Sequence, residues 1–214
     1  MVRDDIHGGV EAGAMPRRSA LTWSGTMLRD LGDWLTRKPV ALHGAHRSIP
    51  HSADSRMVVW AVTAADLVTS VVVDAIVPAA YRPLHLAWVI LTIVLSVGFC
   101  AMTARTPHLV DDRALYLRTG PFRALVVPID HIRTVRTAHG MTTGHGLRRP
   151  LDQDDAVACS VSSATTLTLE LTEPLLVRLR KGDPVMARRV HFGADQPAKA
   201  VETIRSAMSR DIQS

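Results

Sequence analysis

Apolar positions are bunched in the middle of this chain and periodic on either side of it. Residues 57–79 (MVVWAVTAADLVTSVVVDAIVPA) and 84–104 (LHLAWVILTIVLSVGFCAMTA) each approach the ~20 residues a helix needs to cross ~30 Å of hydrocarbon. Only residues 80–83 join them, so the two runs must form a hairpin, and Pro78 and Pro83 suit its turn. Tyr81, Trp88 and Trp60 fall near the expected interfaces. Upstream, within residues 22–38, Met27, Leu28, Leu31, Trp34 and Leu35 recur at helical spacing, with Arg29, Asp30, Asp33 and Arg37 on the other face. Thr22 or Ser24 can cap this helix and Pro39 would end it. Trp23 and Trp34 suit a membrane interface; packing on a soluble domain is the other placement open to it. Residues 1–20 are rich in Gly, Arg and acids without periodicity, and read as a disordered tail.

From residue 108 to 210 the period changes to that of short strands. ALYLRT (114–119), a Gly-Pro-Phe turn and RALVVPI (123–129) read as a hairpin, and His131–Thr137 alternates through Ile132 and Val135. AVACSV (156–161), TLTLELT (166–172), LLVRLR (175–180) and MARRVHF (186–192) follow, with turns at Glu173-Pro174 and at Lys181-Gly182-Asp183-Pro184. Leu167, Leu169 and Leu171 alternate with Thr168 and Glu170, which predicts a strand with one buried face. Arg188 and Arg189 are adjacent, so in a regular strand one points in and one out. A last helix starts near Asp195, a suitable N-cap, with Val201, Ile204 and Met208 on its apolar face. The expected fold is a transmembrane helical hairpin plus a small mainly-β barrel or sandwich closed by a C-terminal helix.

Charge sets the orientation. Arg37, Lys38, Arg47 and Arg56 precede the first run and Arg105, Arg113, Arg118 and Arg123 follow the second, whereas the turn carries only Arg82. The positive-inside bias places both outer flanks, and hence both termini, in the cytoplasm of a plasma membrane protein. The net charge of +5 suits anionic lipid or nucleic acid alike. Scattered cations and few aromatics argue against nucleic acid. With only Cys100 and Cys159, no disulfide framework is expected. The N-terminus has no secretory signal pattern.

Asp66 falls near the middle of the first run and Asp74 nearer its outer end. A central Asp costs about 2.5–3.5 kcal/mol on insertion scales, against a gain of about 0.3–0.6 for each Val, Leu or Ile. The ten such residues of this run would be largely cancelled by two central Asp, so the helix is expected to insert as a pair with its neighbour. Thr63, Asp66, Ser70 and Asp74 share one helical stripe, and Thr92, Ser96 and Cys100 share another on the second run. We expect the stripes to face each other, with hydroxyls bonding a protonated Asp66 and the Trp88 indole reaching Asp74. Partner binding or proton carriage is the functional reading of Asp66; a neutral acid satisfied inside the hairpin is the bland one.

The run HLVDDRALYLRTGPFRALVVPIDHIRTVR (108–136) resembles the opening of bacterial PH-like domains. Those start with a strand hairpin, a Val-Pro-Ile segment and a short Ile-x-x-Val strand, and typically follow a pair of membrane helices. The later TLTLELTEPLLVRL and RRVHFGADQPAKAVETI are similar to actinobacterial membrane proteins of this layout. The resemblance covers roughly residues 57–208 and implies a PH-like barrel; it transfers no activity and no ligand residues.

Catalytic chemistry is not expected. Ser160, Ser162 and Ser163 lie in no Gly-x-Ser-x-Gly elbow. His43, His46 and His51 lack zinc-site spacing, and Asp152, Asp154 and Asp155 lack the calcium-loop glycine and terminal Glu. No cofactor, metal or small-molecule substrate is implied. The Gly-rich loop His139–Pro150 ends in Arg148 and Arg149, which can touch anionic headgroups at about 1 kcal/mol per cation; solvated arginines are the bland reading. The expectation is therefore an interaction module held at the cytoplasmic membrane face, binding lipid or a protein. The alternatives are a complex subunit docked through Thr63, Asp66, Ser70 and Asp74, or a small transport or proton-conducting homo-oligomer.

Overall fold

The computed structural model describes residues 20–40, 46–119, 124–142, 144–151, 153–179 and 183–211. The expected tail up to residue 19, His43, the Gly-Pro-Phe turn and Lys181-Gly182 lie outside these. Helix α1 (Ala20–Leu35) already contains Thr22 and Ser24, so neither caps it. It ends before Pro39 is reached. The Lys38 N–H donates to the Asp33 carbonyl and the Arg37 N–H to the Trp34 carbonyl, with Arg37 at φ 53°. That is a Schellman ending with arginine where glycine is preferred. Arg37→Gly is expected to stabilise the last turn by about 0.5–1 kcal/mol, read as slower amide exchange at Thr36–Lys38.

Helices α2 (Ala53–Ile76) and α3 (Arg82–Ala104), joined by a single 3₁₀ turn at Ala79–Tyr81, form the expected hairpin. Both are long and apolar enough to cross a membrane. Val58, Val62, Val68, Val71, Val72, Ile76, Leu84 and Leu91 are exposed on them, so neither is the core helix of a globular domain. α1 packs on α3 rather than on the β domain. Met27 is buried there, and a Cβ on Gly98 would stand 2.9 Å from its Cγ. Arg105 then locks the pair: it donates to the Lys38 carbonyl at 2.7 Å and lies 3.5 Å from Asp33 and 3.7 Å from Asp30. Leu28, Trp34 and Leu35 remain exposed on α1.

The strands form two sheets. One is β1 (Arg47–Ile49), β2 (His108–Val110), β3 (Ala114–Arg118) and β4 (Ala124–Pro128) in that order. The other takes the order β5-β8-β9-β7-β6, from β5 (Ile132–Met141), β6 (Gly146–Arg148), β7 (Ala156–Ser160), β8 (Ala164–Val177) and β9 (Val185–Phe192). No strand pairing closes them into a barrel among the described residues. Leu115, Leu117 and Val127 of the first sheet and Leu167, Leu169, Val190 and Phe192 of the second share one core. Helix α4 (Pro197–Asp211) adds Val201 and Ile204, as expected, plus Ala200 and Ala207.

Three expectations are corrected. Glu173-Pro174 is not a turn: β8 runs through it, because both halves pair antiparallel with β9. Between the pairs Glu170–Arg189 and Leu175–Ala187, four residues of β8 oppose one of β9. Pro174, with no N–H to give, sits in that bulge. Arg188 and Arg189 do not split in and out. Both N–H groups bond the Asp155 carbonyl, another bulge, and the core positions are Ala187 and Val190. Finally, β1 precedes the hairpin in sequence yet pairs with β2, so the β domain recruits residues from both sides of the spans.

Candidate functional site

Strand direction gives the β domain two unlike edges. β2 leaves α3 at the near edge, next to the hairpin, and the chain then alternates. β3, β5, β7 and β9 end at the near edge, and β4, β6 and β8 begin there, as the registers require. The near edge is clamped to the hairpin. Ser52 Oγ donates to the Thr103 carbonyl at 3.1 Å, tying the start of α2 to the end of α3. The Ala53 N–H donates to Asp195 Oδ1 at 3.0 Å, and the Asp195 N–H donates to the Pro50 carbonyl at 2.9 Å. Asp195 is thus a cap, but for α2 and not for the helix it precedes. A carboxylate at a helix N-terminus satisfies an orphan N–H and opposes the positive end of the macrodipole.

Beneath this clamp lie two buried histidines. The rings of His51 and His108 stack with centroids 3.8 Å apart, and Phe192 meets His108 edge-on at 5.6 Å. His108 accepts the Arg118 N–H at Nδ1 (2.9 Å) and donates from Nε2 to the Gly193 carbonyl (3.0 Å), so it is a neutral, fully used imidazole. Burial pushes its pKa well down. His51 is different: neither ring nitrogen makes a hydrogen bond of good geometry among the described residues, and burial lowers its pKa to about 4, against the opposing pulls of Asp195 and the Ile49 backbone.

The near edge also carries Arg118, Met141, His145 and Arg148. The half-buried Arg118 side chain makes no hydrogen bond or ion pair among the described residues, and burial lowers its pKa. Met141 is 89% exposed. Arg148 turns back over Gly144 to donate to the His145 carbonyl at 2.7 Å. Arg149 goes the other way: it sits toward the far edge, 3.5 Å from Asp154. The expected arginine pair is therefore divided. Of the acidic run, Asp152 lies outside the described residues, Asp154 meets Arg149, and Asp155 is 2.6 Å from Arg189. Ser160 is buried and donates to the Ala164 carbonyl. His46 pairs with Asp111 at 3.2 Å. Among the described residues no three His, Cys, Asp or Glu side chains are grouped to hold a metal.

Within the hairpin, Thr63, Asp66, Leu67, Thr69, Ser70, Trp88, Val89, Thr92 and Ile93 line a cleft of about 240 Å³ between α2 and α3. Three residues of the acidic stripe and Thr92 do meet there. The bonding differs from expectation. Thr63 donates to the Val59 carbonyl and Thr92 to the Trp88 carbonyl, so neither hydroxyl proton reaches Asp66. Asp66 is exposed and makes no hydrogen bond among the described residues. Asp74 lies outside the cleft and meets His85 at 3.5 Å rather than the Trp88 indole. His85 is one turn before Trp88 and faces α2 with it, a placement that helical spacing would have shown. Compared with known proteins, the chain matches no protein-family model, no curated protein and no solved structure.

Proposed function

We propose that the chain is a membrane-anchored interaction module. In this reading α2 and α3 cross the plasma membrane as a hairpin, both termini are cytoplasmic, and a PH-like β domain holds its near edge against anionic lipid of the inner leaflet. The observation that carries it is the clamp: Asp195 and Ser52 tie that edge to the ends of both spans. The edge residues are then headgroup neighbours. β5 lies two strand spacings from β9, so Met141 is about 10 Å to the side of the clamp. The Arg118 guanidinium, unpaired among the described residues, and the Arg148 guanidinium supply charge, at about 1 kcal/mol per cation. Arg149, at the far edge, has no part in this contact.

The test uses full-length protein in nanodiscs of phosphatidylcholine with a trace of fluorescent phosphatidylglycerol. The donor dye is placed on Met141→Cys, since Cys100 and Cys159 are buried. Phosphatidylglycerol is expected to be enriched near the dye over an equal trace of labelled phosphatidylcholine. Enrichment should fall by roughly tenfold or more in Arg118→Gln/Arg148→Gln. Equal transfer from both lipids would reject lipid recognition by this edge.

A second reading has its own support. A carboxylate exposed at mid-span costs about 2.5–3.5 kcal/mol in lipid, and among the described residues no hydrogen bond to Asp66 offsets it. The chain is then a subunit of a larger membrane complex, docked through Thr63, Asp66 and Ser70.

A further inference from the structure

We propose that the cleft between α2 and α3 receives a transmembrane helix of a different protein, carrying a lysine or arginine side chain at mid-span; the proposal rests on the second reading above. Donors inside the cleft are few. Thr63, Thr69 and Thr92 each spend their hydroxyl proton on their own helix, at the Val59, Ala65 and Trp88 carbonyls (2.8, 3.0 and 3.1 Å). What they turn outward is lone pairs. An ionised Asp66 is acceptor-only as well. Of the lining residues, Ser70 and the Trp88 indole alone retain a side-chain proton to give. The cleft is therefore rich in acceptors around one carboxylate, and its complement is a cation with several donors.

The chain itself does not supply that cation from its spans. Lys and Arg are absent from residues 57–81 and 83–104, and Arg82 at the turn donates to the Val77 carbonyl. Arg56 is held by Ser52 at the start of α2, ten residues or about 15 Å along the helix from Asp66. A second copy would bring the same acceptors and a second carboxylate. Charge complementarity thus selects a basic partner helix. Lysine and arginine at mid-span carry an insertion cost of their own, which the same pairing offsets.

The experiment reconstitutes dye-labelled full-length protein in nanodiscs with acceptor-labelled Leu/Ala transmembrane peptides. The peptides carry Lys, Leu or Asp at their centre, and association is read by energy transfer. The Lys peptide is expected to bind at least tenfold tighter than the Leu peptide, with the Asp peptide weakest. Asp66→Asn, isosteric and easier to insert, should bring Lys and Leu peptides within about twofold. Equal binding of all three, unchanged by Asp66→Asn but reduced by filling the cleft with Ser70→Leu, would overturn the charge proposal while leaving a docking stripe. Self-association through Ser70→Cys cross-links, lost in Asp66→Asn, would overturn it in favour of a second copy. No peptide binding and no self-association would remove the docking reading too.

Discussion

Phe192→Ala is expected to destabilise the β domain by about 3–5 kcal/mol and to loosen the hairpin joint with it. The ring is fully buried at the end of β9, opposite Leu167 of β8 and Cys159 of β7. Deleting a buried aromatic removes its transfer free energy and leaves a cavity that a close-packed core fills only in part. The second consequence comes from position. Phe192 is the wall against which His108 stands, and the next residue, Gly193, accepts the His108 Nε2–H. Two residues further, Asp195 holds the first N–H of α2. Exchange at the Ala53 amide should therefore accelerate along with global unfolding of the variant in detergent. Phe192→Leu should cost less and leave that amide protected. A large loss of core stability with unchanged protection at Ala53 would mean that the clamp is energetically separate from the core.

Much of this arrangement was legible in the sequence wherever one face of an element is buried and the period is regular. The two long apolar helices follow from the length of their apolar runs, and the alternating Leu167, Leu169 and Leu171 and the Val201–Ile204 face of α4 follow from period, since the buried face must repeat with the backbone geometry. The errors fall where tertiary pairing overrides local chemistry. Glu173-Pro174 carries turn residues, but one neighbouring strand engages both sides of it, so β8 continues through a bulge. Asp195 has the chemistry of an N-cap and performs that role for a helix 142 residues earlier in the chain, which no local pattern encodes. β1 is three residues long and exists only because β2 lies beside it. The interhelical site was half legible. Spacing put Thr63, Asp66 and Ser70 on one stripe and Thr92 and Ser96 on a facing one, of which Thr92 but not Ser96 lines the cleft, whereas the direction of each hydroxyl proton depends on its own helix's i−4 carbonyl. That local competition decides whether Asp66 is satisfied inside the hairpin or left for a partner.

Acidification should open the same joint, and His51 is the residue that makes it do so. A group whose pKa is lower in the folded state than in the unfolded one takes up its proton first when unfolded. Above pH 6.5 both states hold neutral His51, and it has no effect on pH dependence. Between 6.5 and about 4 the unfolded state is protonated and the folded state is not, so stability falls as pH falls. A depression of this size is worth about 3 kcal/mol once the lower limit is passed. His108, depressed by burial and by its stacked neighbour, adds to the loss with the same sign. The groups facing the pair are mixed: Asp195 from the α4 side opposes the depression, while Arg56 from α2 and Arg118 from β3 deepen it. His51→Phe separates these contributions. It keeps a ring stacked on His108 but removes two buried nitrogens that make no hydrogen bond of good geometry among the described residues. The variant is expected to be more stable than wild type at pH 7.5, by about 1 kcal/mol or more, and to lose much of the slope between pH 6.5 and 4. His108→Phe should do the opposite at neutral pH. It strands the Arg118 N–H and the Gly193 carbonyl, at about 1–3 kcal/mol for each group left buried and unpaired. Chemical denaturation of both variants across pH decides the matter: an unchanged pH slope in His51→Phe would move the acid sensitivity to the other depressed histidines, His108 and His191.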